Sequence, residues 1–216
     1  MARTNEINEM LMRRDFTGAV TLAGGPAKAI RLLISYAYND DVLLRGRAFE
    51  MLAVAAAERA SEDIEDVREI IRRLLWSMND ESGGIGWHAA EAAGEILAAV
   101  PSLIAEFGII VSWFMNQPPF ERSAHAAVAR MTAVRPDVFT EIRNELASSL
   151  KSSDPAIRAF SASALVSIGG DEKPQLASRL ADDLAEFEYY DRDAGNIVRS
   201  RVGMYVMKMI NKLERL

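Results

Sequence analysis

Apolar residues recur along this chain at helical spacing, and almost nowhere at the period of two that marks strands. The clearest segment is D-P-A-I-R-A-F-S-A-S-A-L-V-S-I-G-G, residues 154–170. Asp154 suits an N-cap and Pro155 suits the first helical position. Ile157, Ala164, Leu165 and Ile168 then share one helical face, and Gly169-Gly170 supplies a stop. Similar segments recur with an arginine in the register of Arg158: Arg45 after Asp41, Arg122 and Arg199, with Gly86 taking that register in one segment. The anchors fall at 45, 86, 122, 158 and 199, so a unit recurs every 36 to 41 residues. An amphipathic run precedes each anchor segment, at 25–38, 62–78, 102–115, 137–150 and 173–187. The pattern predicts five helix pairs and one extra helix near 5–17. G-I-I-V-S-W is the one strand-like run, and it lies in a helical context.

No Pro/Gly/Ser-rich linker interrupts the array, so 1–216 reads as a single domain. N-Q-P-P-F-E-R and E-Y-Y-D-R-D-A-G-N are short enough to be turns within repeats.

The segment D-P-A-I-R-A-F-S-A-S-A-L resembles HEAT and HEAT-like repeats, including those of the phycobilin lyases. N-D-E-S-G-G-I-G-W is also similar to a bacterial group of such proteins, a likeness that brings no activity with it. The resemblance implies an all-α fold, an armadillo-like α-solenoid whose stacked helix pairs form a superhelix. It further implies that the second helix of each pair lines a concave face.

Composition narrows the classes of function. The chain has 25 Lys and Arg against 31 Asp and Glu, a formal net charge of −6. That balance disfavours nucleic acid, whose phosphates need cations. Cysteine is absent, which removes disulfides, thiolate metal sites and cysteine nucleophiles. The N-terminal residues carry no apolar signal core, and the longest apolar run, S-L-I-A-E-F-G-I-I-V-S-W-F-M, is too short for a bilayer and contains Glu106. The expectation is a cytoplasmic protein without membrane contact.

The least regular stretch is the turn at 79–84, acidic and then glycine-rich, followed by Trp87-His88. As a site, Asp80 and Glu81 offer oxygens and the glycines admit a close backbone; as a connector, the same residues are a solvated turn. Trp87, Glu91 and Glu95 are spaced as one ridge of a helix, with His88 beside them. On the implied concave face, Glu50 and Phe160 join them as candidate partner-binding residues. Trp76 and Trp113 fall at apolar positions of first helices and read as core. The slot arginines read as bridges between neighbouring repeats.

Catalytic signals are missing: there is no P-loop, G-x-S-x-G, H-E-x-x-H or EF-hand pattern. His88 and Glu91 share a helical face, and His125 lies in the next repeat. The HEAT-like di-iron hydroxylases use His-Glu dipeptides, and neither histidine here is followed by Glu. No metal and no cofactor is therefore expected. The sequence points to a non-catalytic scaffold that holds a protein or peptide partner on its concave face. The alternative is a lyase-like or cofactor-handling enzyme with a tetrapyrrole-type ligand in the Trp87/His88/Glu91 groove.

Overall fold

The computed structural model describes residues 2–79, 86–169 and 179–213. They are mostly helical. The helices are α1 (Ala2–Arg13), α2 (Phe16–Ala23), α3 (Pro26–Ile34), α4 (Val42–Glu62), α5 (Ile64–Trp76), α6 (Ala89–Ala99), α7 (Ile104–Ser112), α8 (Glu121–Thr132), α9 (Arg143–Ser149) and α10 (Pro155–Ile168). A β-hairpin follows, β1 (Glu186–Asp191) and β2 (Asn196–Arg201), and then α11 (Val202–Leu213). The hairpin is the one sheet among the described residues. Its register pairs Glu186 with Arg201 and Asp191 with Asn196.

Local chemistry sets the helix boundaries. The Asp41 carboxylate caps α4 by accepting from the Leu44 N–H at 3.0 Å, and Asp154 caps α10 through the Ala156 N–H at 2.8 Å. Asp63 caps α5 through the Glu65 and Asp66 N–H groups. Each cap satisfies a donor that the helix itself leaves open. Along α5 the buried residues are Val67, Ile70, Ile71 and Leu74, a single stripe at i, i+3, i+4 and i+7.

The predicted pairs largely form. α3 packs on α4, α5 on α6, α7 on α8 and α9 on α10. The second helices also pack on one another in chain order: α4 on α6, α6 on α8, α8 on α10 and α10 on α11. The alanine-rich α6 lies in the middle of this series and is buried on nearly every side. No single helix among the described residues is long and apolar enough to cross a membrane.

The fold departs from expectation in several places. The extra N-terminal helix is two helices, broken at Arg14 (φ 57°), with Asp15 capping α2. Half of the run at 137–150 is a 3-10 turn, Pro136–Ile142, before α9. G-I-I-V-S-W belongs to α7 and the turn after it, while the strands are E-F-E-Y-Y-D and N-I-V-R-S-R. Arg199 therefore sits in β2; of the fifth pair, α11 is helical where expected, as are Arg179 and Leu180 in the run at 173–187, and residues 170–178 lie outside the described set. Alternating aromatic and β-branched residues around the turn D-A-G-N favour the hairpin over a continued helix.

Trp76 and Trp113 are not core: they are 59% and 60% exposed. Buried neighbours explain why. Leu74 and Met78 carry the stripe past Trp76, and Val111, Phe114 and Met115 carry it past Trp113.

Candidate functional site

The hairpin leaves α10 and α11 and reaches back to α4 across the same side of α8 and α6. Each step has an anchor. Phe187 sits against Phe160 of α10 and Tyr205 of α11, with ring centroids 5.9 and 5.4 Å apart and nearly perpendicular planes. Arg122 of α8 donates from Nη2 to the Glu188 carbonyl at 2.9 Å. Arg192 pairs with Glu95 of α6. The Tyr190 hydroxyl donates to Glu50 Oε2 of α4 at 2.6 Å. Arg47 holds the turn through the Gly195 carbonyl, and Lys208 of α11 pairs with Asp191.

Glu50 was expected on an open face, but it is 4% exposed beneath the hairpin. Arg14 holds it through Nε (3.1 Å) and Nη2 (2.8 Å), and Tyr190 completes its coordination. Phe160 was expected as a free apolar anchor; it is half-buried in an aromatic cluster with Phe187 and Tyr205. Glu95 lies between Arg130 (3.2 Å) and Arg192. Three of the expected partner contacts are thus made by the chain's own hairpin.

Trp87, His88 and Glu91 remain open. They line a cleft of about 1090 Å³ together with Glu95, Phe160, Arg45 and Arg122. Trp87 is 59% exposed, and it precedes α6 rather than lying on it, because the helix begins at Ala89. The i, i+4, i+8 ridge therefore shortens to Glu91 and Glu95. His88 Nδ1 is buried and 3.4 Å from Glu91 Oε2, and it has no hydrogen-bond partner among the described residues. Asp80 and Glu81 lie outside the described residues. Gly86 does not leave room for a ligand: a Cβ there would meet Ala89, Ser77 Oγ and the Tyr38 hydroxyl within 3.0 to 3.3 Å. Glycine at this position serves close packing of the turn.

The slot arginines divide: Arg122 reaches the Glu188 carbonyl, Arg199 pairs with Glu186 across the hairpin, and the other two hold their own helix entrances. Arg45 reaches the Asn39 carbonyl, and Arg158 reaches the Ser152 carbonyl at 2.7 Å, each six residues upstream. Both hold the chain that enters their own helix. Arg158 also makes the expected bridge to the next repeat, pairing with Asp183 at 2.7 and 3.1 Å. That contact holds the Asp183 carboxyl below the usual carboxylate range.

Sequence reasoning missed Tyr190, Arg192, Arg14 and Gly46. A Cβ at Gly46 would overlap the Tyr190 ring. Glycine inside a long helix was the available signal, since it costs helix stability and marks a close approach. Burial, and then the hydrogen bond to Glu50, push the Tyr190 phenol up, which keeps it a donor.

No group of three or more His, Asp or Glu among the described residues is placed to hold a metal ion. His125 is occupied within the fold, with Nδ1 donating to the Glu121 carbonyl at 2.7 Å and Nε2 3.0 Å from Ser149 Oγ. Comparison with protein-family profiles, curated proteins and solved structures finds no match to this chain. The likeness to HEAT-like repeats rests on residue pattern and helix order alone.

Proposed function

We propose that the chain is a non-catalytic binding module, an α-solenoid that holds a protein or peptide segment on its concave side. The in-order packing of α4, α6, α8, α10 and α11 supports the stacked arrangement. One observation carries the binding reading. Trp87 stands exposed in a large cleft, beside the Glu91 carboxylate and a His88 nitrogen that no described residue bonds. Exposed tryptophan next to polar groups has the make-up of an interface hot spot. This anchor set is narrower than the sequence implied, because Glu50, Glu95 and Phe160 already have partners.

The test is selection of a random dodecapeptide display library on the immobilised chain and on Trp87→Ala. The expected result is a shared motif on the unaltered chain whose affinity falls about 30-fold in the variant, or roughly 2 kcal/mol, with the helical circular dichroism unchanged. Failure to enrich any motif overturns the reading. A variant that keeps its peptide and loses thermal stability instead makes Trp87 a packing residue.

A further inference from the structure

Two carboxylates beneath the hairpin have duplicate partners. Glu50 is held by Arg14 from the helical body and by Tyr190 from the hairpin. Glu95 is held by Arg130 from the body and by Arg192 from the hairpin. If the hairpin tip lifts, Arg14 loses its hydrogen bond to the Arg192 carbonyl but keeps its two to Glu50, and Arg130 keeps Glu95. Neither carboxylate is then stranded as an unpaired buried charge, the outcome that makes breaking a buried pair costly.

The base of the hairpin has no such substitute. Phe187 is buried among Phe160, Tyr189 and Tyr205, and lifting it would expose all four rings. The tip is therefore the part that can exchange. Beneath it lies a seat of defined chemistry. Gly46 leaves space for an aromatic ring, Glu50 accepts that ring's hydroxyl, and Glu95 accepts a guanidinium two residues further on.

We propose that this seat is a docking site for a partner segment carrying tyrosine, any residue, then arginine, which takes the place of the chain's own tip. The proposal rests on the peptide-binding reading above and names its partner's chemistry. The tip is a tethered competitor, so the partner's apparent affinity is reduced by the fraction of time the seat is covered.

The probe is a fluorescein-labelled, cyclised peptide of residues 188–199, titrated by anisotropy. It should bind a Tyr190→Ala/Arg192→Ala chain at least tenfold more tightly than the unaltered chain. The same peptide with alanine at both positions should bind that chain at least tenfold more weakly. Equal binding of the two peptides overturns the proposal, as does no binding to a double variant with native melting. Self-association of the double variant that the peptide does not reverse assigns the seat to a second copy, and also overturns it. Should the double variant not fold, hydrogen exchange on the unaltered chain decides. Amides 190–196 should exchange at least tenfold faster than those of α4, and equal protection overturns the proposal. The cyclic peptide and the dodecapeptide selected above are titrated separately on the unaltered chain and the double variant. A failed seat shows as no gain for the cyclic peptide while the dodecapeptide still binds. A failed seat is thereby distinguished from a failed Trp87 cleft.

Discussion

At its base the hairpin buries Phe187 and half-buries Tyr189 against Phe160 and Tyr205, with ring centroids 4.8 to 6.1 Å apart. At its tip, a few residues away, Tyr190 and Arg192 reach Glu50 and Glu95 through a hydroxyl and a guanidinium, with the Tyr190 ring lying against Gly46. Apolar packing has no alternative partner when it is broken, because its surface goes to water. The Arg192–Glu95 pair is largely buried, but Glu95 keeps Arg130 when Arg192 leaves, so the pair can part without stranding a charge. One short element thus joins a permanent attachment to an exchangeable one. That contrast accounts for a carboxylate as deeply placed as Glu50 having two donors from different parts of the chain.

The largest expected effect tests the base. Phe187→Ala should lower unfolding stability by about 3 kcal/mol in a urea titration, the range for a buried phenylalanine. A loss under about 1 kcal/mol would erase the distinction between base and tip. Gly46→Val comes next. Its side chain collides with the Tyr190 ring, so about 1 to 3 kcal/mol should be lost. The tip amides should also lose protection from hydrogen exchange while those near Phe187 keep it. Arg192→Ala should cost about 1 to 2 kcal/mol, near the low end for a hydrogen bond to a charged group, because Arg130 keeps Glu95 paired. A loss of several kcal/mol would show that the tip is as permanent as the base.

The smallest effect is set by pH. Burial pushes the Asp191 carboxyl up, but the Lys208 ammonium and the N–H groups of Ala194 and Asp193 outweigh it and hold the folded value below normal. A depressed carboxylate contributes stability that is present above its unfolded value, near 3.9, and lost as pH falls through the folded value. Between pH 5 and pH 3 the unaltered chain should therefore lose more stability than Asp191→Asn. Parallel losses would remove Asp191 from the hairpin's attachment.

The helix pairs were legible because their signals are local. Asp41 and Asp154 both cap as their positions suggested, and α8 and α10 begin within a residue of the pattern. The hairpin was not legible, for a physical reason. E-F-E-Y-Y-D reads equally as an acidic helix face, and Arg199 fell by coincidence into the arginine register, so the long-range period outweighed the local alternation. The site divided along the same line. Trp87, His88, Glu91 and Glu95 come together because neighbouring residues carry them. The covering of Glu50 and Phe160 depends on a segment about 140 and 27 residues away, respectively, and no local pattern reports such a contact. Trp76 and Trp113 were misread because apolar character was weighed before stripe position.

The hairpin also changes how the molecule can come apart. Arg14 of the N-terminal helices donates to the Arg192 carbonyl across a separation of 178 residues. A linear stack of helix pairs frays from its ends, each unit depending only on its neighbours. Here the hairpin tip is hydrogen-bonded to the first unit, so fraying from either end must first release the tip. Closing that loop comes at the expense of speed. The contact joins the chain's most distant parts, and its loop-closure entropy must be overcome before it contributes anything. Assembly should run through an open string of paired helices that closes late, with the hairpin's amides the last to gain protection in a refolding time course.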